Sequence, residues 1–262
     1  MDLIVAGETV RATTGGRPLN RDLPLLLFIH GAGMDRTIWQ LQTRYFANHG
    51  WSVLAVDLPG HGGSGGTPPD SIAGYADWAD DLIAAAGFPS AAVVGHSMGA
   101  FIGLHLATHH PERVNRLALL GVAATMPVHP DLLAAADRNE PLAFDLITSW
   151  SLAPRSRYGG HQTPGLWMTA ESVRLLEHIA DGVLANDLHA CNRYDEATAA
   201  AARVTCPTLL LLGELDLMTR PKAAKPLATA LPDGTTVILP GAGHVMMMEQ
   251  PDAVIDTLAG FL

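Results

Sequence analysis

Residues 91–108 read AAVVGHSMGAFIGLHLAT, and the fold turns on this stretch. Residues 91–94 are small and apolar, as suits a short buried strand, and residues 100–108 can continue as a helix. The pentapeptide between them, Gly95-His96-Ser97-Met98-Gly99, fits G-x-S-x-G. In that arrangement the serine occupies a strained strand-to-helix turn that pushes its hydroxyl out at the top of a sheet, and the flanking glycines relieve crowding. The same turn aims backbone N–H groups at the helix N-terminus, where the Met98 amide can hold a developing oxyanion.

Working outward, residues 3–13 alternate apolar with polar and read as an opening strand, with a turn at Gly15 and Gly16. Residues 25–29 form an apolar strand that runs straight into His30, and residues 53–56 form another that ends in Asp57. After the loop LPGHGGSGGTPP, the segment 71–86 is helical: Ile72, Tyr75, Ala79, Leu82, Ile83 and Ala86 share one face, and Gly87 can stop it. Residues 117–121 and 209–212 are continuously apolar, as parallel strands covered on both faces must be. A strand at 236–239 and a helix bearing Val254, Ile255, Leu258, Phe261 and Leu262 on one side close the chain. The pattern predicts an α/β protein with a mostly parallel central sheet flanked by helices.

Between residues 121 and 209 lie roughly 85 residues, far more than an ordinary connection. Helical periodicity appears at 132–136, 142–150, 173–179 and 183–189, so the segment 126–203 is expected to form a helical cap inserted into a catalytic core of residues 1–125 and 204–262.

A serine hydroxyl needs a base, and twelve histidines compete. His244 lies in GAGH just after the strand at 236–239, on a loop that should open at the same sheet edge as Ser97. His96 should point away from the serine, His109 and His110 read as a solvated helix end, and His61 as structural or pocket-lining. The acid that orients the base should fall between serine and histidine in the chain. Asp216 in GELD satisfies that order, with Glu214 as local rival, and Asp57 reads as a turn residue. The second oxyanion donor is assigned to the Ala32 N–H in His30-Gly31-Ala32-Gly33, with Gly33 as the near alternative and His30 as an anchor of the loop. Gly33, Trp39, Trp150, Trp167, Met168 and Val245 are taken as substrate-contacting candidates. Met246, Met247 and Met248 read either as a soft acyl pocket or as core filling.

Taken together, HGAG, DLPGHGGS, GHSMG, GELD and GAGHVMMMEQP, in this order, resemble the α/β-hydrolase superfamily across nearly the whole chain, and within it the serine esterase, lipase and enol-lactonase branches. The resemblance implies a nucleophile elbow, a mobile helical cap and no cofactor. Epoxide hydrolases and haloalkane dehalogenases of this fold place Asp where this chain has Ser97. Carbon–carbon bond hydrolases acting on ring-cleavage products usually show Asn and Trp where this chain has His96 and Val245.

Composition narrows the partners. A formal net charge of −10 supplies no basic footprint for nucleic acid or an anionic membrane, which points to a small ester-type molecule and away from nucleic acid and membrane insertion. Two cysteines, Cys191 and Cys206, are too few for a disulfide framework. With no secretory signal at the N-terminus, they suit a reducing, cytoplasmic compartment. Gly60-His-Gly62-Gly-Ser-Gly65 spells G-x-G-x-x-G, but Pro68 and Pro69 oppose the helix that a dinucleotide site needs, and neither a P-loop nor an H-E-x-x-H zinc motif is present. The expected activity is carboxylic ester, lactone or thioester hydrolysis through an acyl-enzyme on Ser97, without metal or cofactor. Acyltransfer, perhydrolysis and carbon–carbon hydrolysis on the same three residues are the alternatives, and a ligand receptor on the same fold is a more distant one. Oligomeric state is not encoded in these motifs.

Overall fold

The strand that carries the pentapeptide becomes an inner member of an eight-stranded sheet. A computed structural model describes residues 1–161, 163 and 165–262. The strands are β1 (Asp2–Val5), β2 (Glu8–Thr13), β3 (Leu25–Ile29), β4 (Ser52–Val56), β5 (Ala91–His96), β6 (Val114–Leu120), β7 (Thr208–Gly213) and β8 (Gly234–Leu239), in the order β1-β2-β4-β3-β5-β6-β7-β8. β1 and β2 pair antiparallel, as do β2 and β4, and every other pairing is parallel.

Residues 3–13, expected as one strand, are two. Val5 pairs with Glu8 across a two-residue turn in which Ala6 and Gly7 both have positive φ, at 49° and 86°. Such a turn matches the twist of a hairpin, and the alternation of residues 3–13 cannot reveal it because β-strand alternation survives a two-residue loop.

Helices α1 (Gln40–Ala47), α2 (Ile72–Ala86) and α3 (Met98–His109) follow β3, β4 and β5. Strand periodicity then sorts the core into two layers. Leu25, Leu27 and Ile29 face Tyr75, Ala79 and Ile83 of α2 and Phe101 of α3, whereas Leu26 and Phe28 face Trp39, Phe46 of α1 and the C-terminal helix. α3 is buried on all sides from Met98 to Ala107, so it shows no polar stripe. α2 starts on Ser71, whose hydroxyl accepts from Gly74 N, and stops at Gly87 with φ +83.

Between β6 and β7 run α4 (Pro130–Asp137), α5 (Pro141–Ser151), α6 (Pro154–Arg157), α7 (Met168–Glu177), α8 (Val183–Arg193) and α9 (Ala197–Ala201). Three of them open on proline, which is favoured where the first-turn N–H has no helical acceptor. Leu132, Ile147, Leu176, Leu184 and Leu188 form a small apolar cluster of their own, and Ala32 of the core packs against it. The chain closes with α10 (Lys225–Ala230), α11 (Met246–Glu249) and α12 (Pro251–Phe261), the last burying Val254 and Leu258. No helix among the described residues is long and apolar enough to cross a membrane.

Candidate active site

The pentapeptide turns sharply at Ser97, which sits at φ 54°, ψ −115°, between β5 and α3. A non-glycine residue held there costs on the order of 1–3 kcal/mol, and the surroundings over-determine it. Ser97 N–H donates to the Leu120 carbonyl at 2.9 Å, while Ala100 N–H and Phe101 N–H donate to the Ser97 carbonyl. The flanking glycines are dictated by contact: a Cβ on Gly95 would overlap the Gly99 carbonyl, and a Cβ on Gly99 would overlap the Ile29 and His30 carbonyls. The turn therefore presses backbone against backbone and leaves the Ser97 hydroxyl facing outward.

His244 follows β8, and its Nδ1 lies 2.8 Å from Asp216 Oδ2 in the loop after β7. Facing a carboxylate, Nδ1 carries the proton and Nε2 is left as the basic nitrogen. Asp216 Oδ2 also accepts the Thr219 hydroxyl at 2.7 Å, and its Oδ1 accepts the N–H groups of Met218 and Thr219, each at 2.8 Å. Burial alone would raise this carboxyl, but the His244 charge and hydrogen bond, with the Thr219 donors, hold it down at about 2. Glu214 points elsewhere, accepting from Gly241 N at 2.8 Å on the surface. Ser97 and His244 line one cavity without a direct hydrogen bond between their side chains, a looseness common before substrate binds.

The loop after β3 approaches closely: a Cβ on Gly31 would lie 3.1 Å from Ser97 Cβ. His30 fastens this loop, its Nδ1–H donating to the Gly31 carbonyl at 2.9 Å and its Nε2 accepting from Leu58 N at 3.0 Å. Burial, then the charge of His61, lowers it to about 3, so it stays neutral and serves as an anchor. Gly33 N–H donates to Asp187 Oδ2 at 3.0 Å and is thereby occupied. Neither the Ala32 N–H nor the Met98 N–H has an acceptor among the described residues; Met98 follows Ser97 in the chain and Ala32 lines the same cavity as Ser97.

The cavity over Ser97 has a volume of about 360 Å³. Ala32, Met34, Met126, Leu132, Ile147, Trp150 and Leu188 supply much of its wall, with Arg220 and His129 as polar members. Of the six residues expected to contact substrate, only Trp150 lines it. Trp39 is fully buried against Phe28, 5.0 Å between ring centroids, because the turn after HGAG folds it inward under the sheet. Met168 and Val245 are buried in that same layer, Trp167 is 60% exposed at the surface, and Gly33 is turned toward α8. Met246 and Met247 also fill this core, where they make no acyl pocket. Cys191 lines the cavity, and burial pushes its thiol up, which keeps it protonated. Among the described residues no cluster of three His, Cys, Asp or Glu side chains could hold a metal.

This geometry has known counterparts. The model of the alpha/beta hydrolase family matches residues 26–257. The chain belongs to this family. This hydrolase is 27% identical over 243 residues to the (E)-2-((N-methylformamido)methylene)succinate hydrolase of Acinetobacter baylyi, covering 90% of this chain and 89% of that one. It is 33% identical over 245 residues to the pimeloyl-acyl-carrier protein methyl ester esterase of Chromobacterium violaceum, covering 89% and 90% of the two chains. The enol-lactonase of Burkholderia xenovorans superposes with a TM-score of 0.88 at 23% identity, over 100% of this chain and 99% of that one, a likeness of fold.

Two side chains beside this site, Thr219 and Glu249, escaped the sequence reading, and the contact made by a third, His96, was not foreseen. Thr219 was invisible because a threonine three residues after an acid carries no distinctive signal. His96, expected to point away from Ser97, turns its Nε2–H to the His244 carbonyl at 2.9 Å, and burial followed by the charge of His244 lowers it to about 3. Glu249 accepts from Gly243 N, Ala153 N and the Ser156 hydroxyl, tying the His244 loop to the start of α6. A glutamate within MMMEQP carries no signal of burial, yet Glu249 is buried.

Proposed function

We propose that this hydrolase cleaves carboxylic esters, or the related lactones and thioesters, through an acyl-enzyme on Ser97. The observation that carries the reading is the strained Ser97 opening on the cavity that His244 also lines, with Asp216 bound to the far nitrogen of that imidazole. Ser97 Oγ attacks the acyl carbonyl while His244 Nε2 takes its proton, and the tetrahedral oxyanion is received by the Ala32 and Met98 N–H groups. The imidazolium returns that proton to the departing alkoxide, releasing the alcohol. Water then adds to the acyl-enzyme, giving its proton to His244, and the second tetrahedral intermediate collapses to the acid and free Ser97. The six helices between β6 and β7 act in this reading as a cap that supplies the acyl-side wall, and the apolar side chains of Leu132, Ile147 and Leu188 favour an aliphatic or aromatic acyl group of modest size.

Support comes from the relative named as a methyl ester esterase, which matches the chain over nearly its whole length. The test is a panel of esters, lactones and thioesters of graded acyl length, run on the parent and on Ser97→Ala with water as sole acceptor. Acid release by the parent, abolished in the variant, and an acyl adduct on Ser97 in quenched mass spectra are the expected results. Undiminished ester turnover by Ser97→Ala overturns the reading.

A further inference from the structure

α8 carries one fully buried carboxylate, Asp187, out of the segment between β6 and β7 and sets it beneath the loop that bears Ala32. Its Oδ2 accepts the Gly33 N–H at 3.0 Å and faces His61 Nε2 at 2.8 Å, while its Oδ1 accepts the Tyr75 hydroxyl at 2.7 Å. Three separate segments of the core thus converge on a single side chain.

The other nitrogen of His61 faces the Pro59 carbonyl at 3.0 Å. With an acceptor before each ring nitrogen, the imidazole satisfies both only when it carries two protons. Burial opposes that charge, yet the Asp187 charge and hydrogen bond, with the Pro59 carbonyl and Asp57 acting in the same sense, hold His61 above its ordinary value. Neutral His30 lies beside it, with 5.0 Å between ring centroids. An ion pair this deep is weak evidence for net stability, because desolvating two charges offsets much of their attraction. What the pair does specify is where the carboxylate stands.

Its position bears on the loop. Gly33 has φ +66, and a Cβ there would come within 2.8 Å of Leu184 Cδ1 on the same helix, so α8 presses directly on this residue. The amide that Asp187 occupies is one residue beyond the Ala32 amide, which has no acceptor of its own among the described residues. Leu188, next to Asp187 in α8, and Cys191, one turn further on, line the cavity.

We infer that Asp187 is a positioning residue for the oxyanion hole: by holding the Gly33 N–H it sets the direction of the neighbouring Ala32 amide, so the hole is complete only while α8 is seated on the core. One helix then both contacts the acyl group and assembles the donor that serves it. The inference rests on Ala32 acting as an oxyanion donor in the acyl-enzyme reading above.

The test compares Asp187→Asn with Asn186→Ala. The latter removes a neighbouring tether of this helix, Asn186 Nδ2 to the Pro69 carbonyl at 2.8 Å and to the Tyr75 hydroxyl at 3.5 Å, and leaves the carboxylate in place. With a short-chain aryl ester, Asp187→Asn is expected to lower kcat about 10- to 100-fold with KM within threefold, and to weaken an alkylboronic acid, which mimics the tetrahedral intermediate, by the same factor. Asn186→Ala is expected to keep kcat within twofold of the parent even where its melting temperature falls. Should Asp187→Asn not fold, Asp187→Glu, which keeps the charge beside His61 but displaces its oxygens from Gly33, carries the same expectation. Parent-like kcat and boronate affinity in the Asp187 variant, or kcat losses that merely follow melting temperature across both variants, overturn the inference. A Ser97→Ala protein that still hydrolyses the ester defeats the acyl-enzyme reading, whereas an inert Ser97→Ala beside an unimpaired Asp187→Asn defeats only the role of Asp187.

Discussion

Oδ2 of Asp216 and Nδ1 of His244 lie 2.8 Å apart although 28 residues separate them in the chain, and the His244 and Thr219 contacts hold the carboxyl down at about 2. If these two act with Ser97 as a unit, Ser97→Ala and His244→Ala each lower kcat by on the order of 10⁶, and Asp216→Asn by about 10⁴. Steady-state hydrolysis of an aryl ester measures all three. The depressed carboxyl also predicts acid behaviour: its stabilising contribution is fully present above the unfolded value of about 3.9 and is lost as pH falls toward about 2. Asp216→Asn should therefore flatten the acid limb of a plot of melting temperature against pH, and an unchanged limb contradicts the assignment.

Thr219 shares the same carboxylate oxygen at 2.7 Å and stands 3.2 Å from His244 Nδ1. Thr219→Val keeps the shape and removes the hydroxyl, leaving the backbone donors to Asp216 intact. A hydrogen bond to a charged group is worth about 1.5–3 kcal/mol, so kcat should drop about 10- to 100-fold with KM little changed. An effect on KM alone would show that Thr219 serves substrate and leaves the imidazole unaffected.

The buried His61–Asp187 pair makes a second, opposite pH prediction. Asp187, Asp57, Tyr75 and neutral His30 surround His61, and its folded value is raised. Stability from such a histidine is complete below the unfolded value near 6.5 and is lost as pH rises through the raised one. His61→Asn leaves Asp187 unpaired and should cost about 3–5 kcal/mol at pH 6. Urea unfolding across pH 5–10 is expected to show this gap narrowing toward alkaline pH, and a gap that widens would mean His61 is neutral.

Trp39 and Trp150 separate packing from recognition. Trp39→Ala should cost about 3–5 kcal/mol of stability, as for a fully buried aromatic, while folded enzyme keeps its preference among esters. Trp150→Ala, on the cavity wall, should shift KM across a series of acyl lengths with a smaller loss of stability. Identical specificity profiles for the two variants would place the acyl group elsewhere.

Much of this hydrolase is legible in one dimension because its signals are local. Continuous apolar runs marked β3, β5, β6 and β7; glycines at 95 and 99 marked a backbone crossing too tight for Cβ; and the order of Ser97, Asp216 and His244 placed all three after strands of one parallel sheet. In such a sheet, residues after the strands emerge at one edge whatever lies between them. The hairpin at Ala6 and Gly7 and the four- and five-residue helices α6 and α9 were missed because segments that short carry no periodicity of their own.

Direction in space was decided only by tertiary packing. Whether Trp39 turns into the core or toward the cavity depends on its packing against Phe28 and Phe46, and whether Gly33 or Ala32 has the unclaimed amide depends on α8, whose Asp187 reaches across 154 residues of chain to the Gly33 N–H. Nothing in the spacing of HGAG announces that acceptor. A hydrogen bond between distant segments is set by how whole helices seat, and that is a property of summed packing, which no local pattern of residues contains.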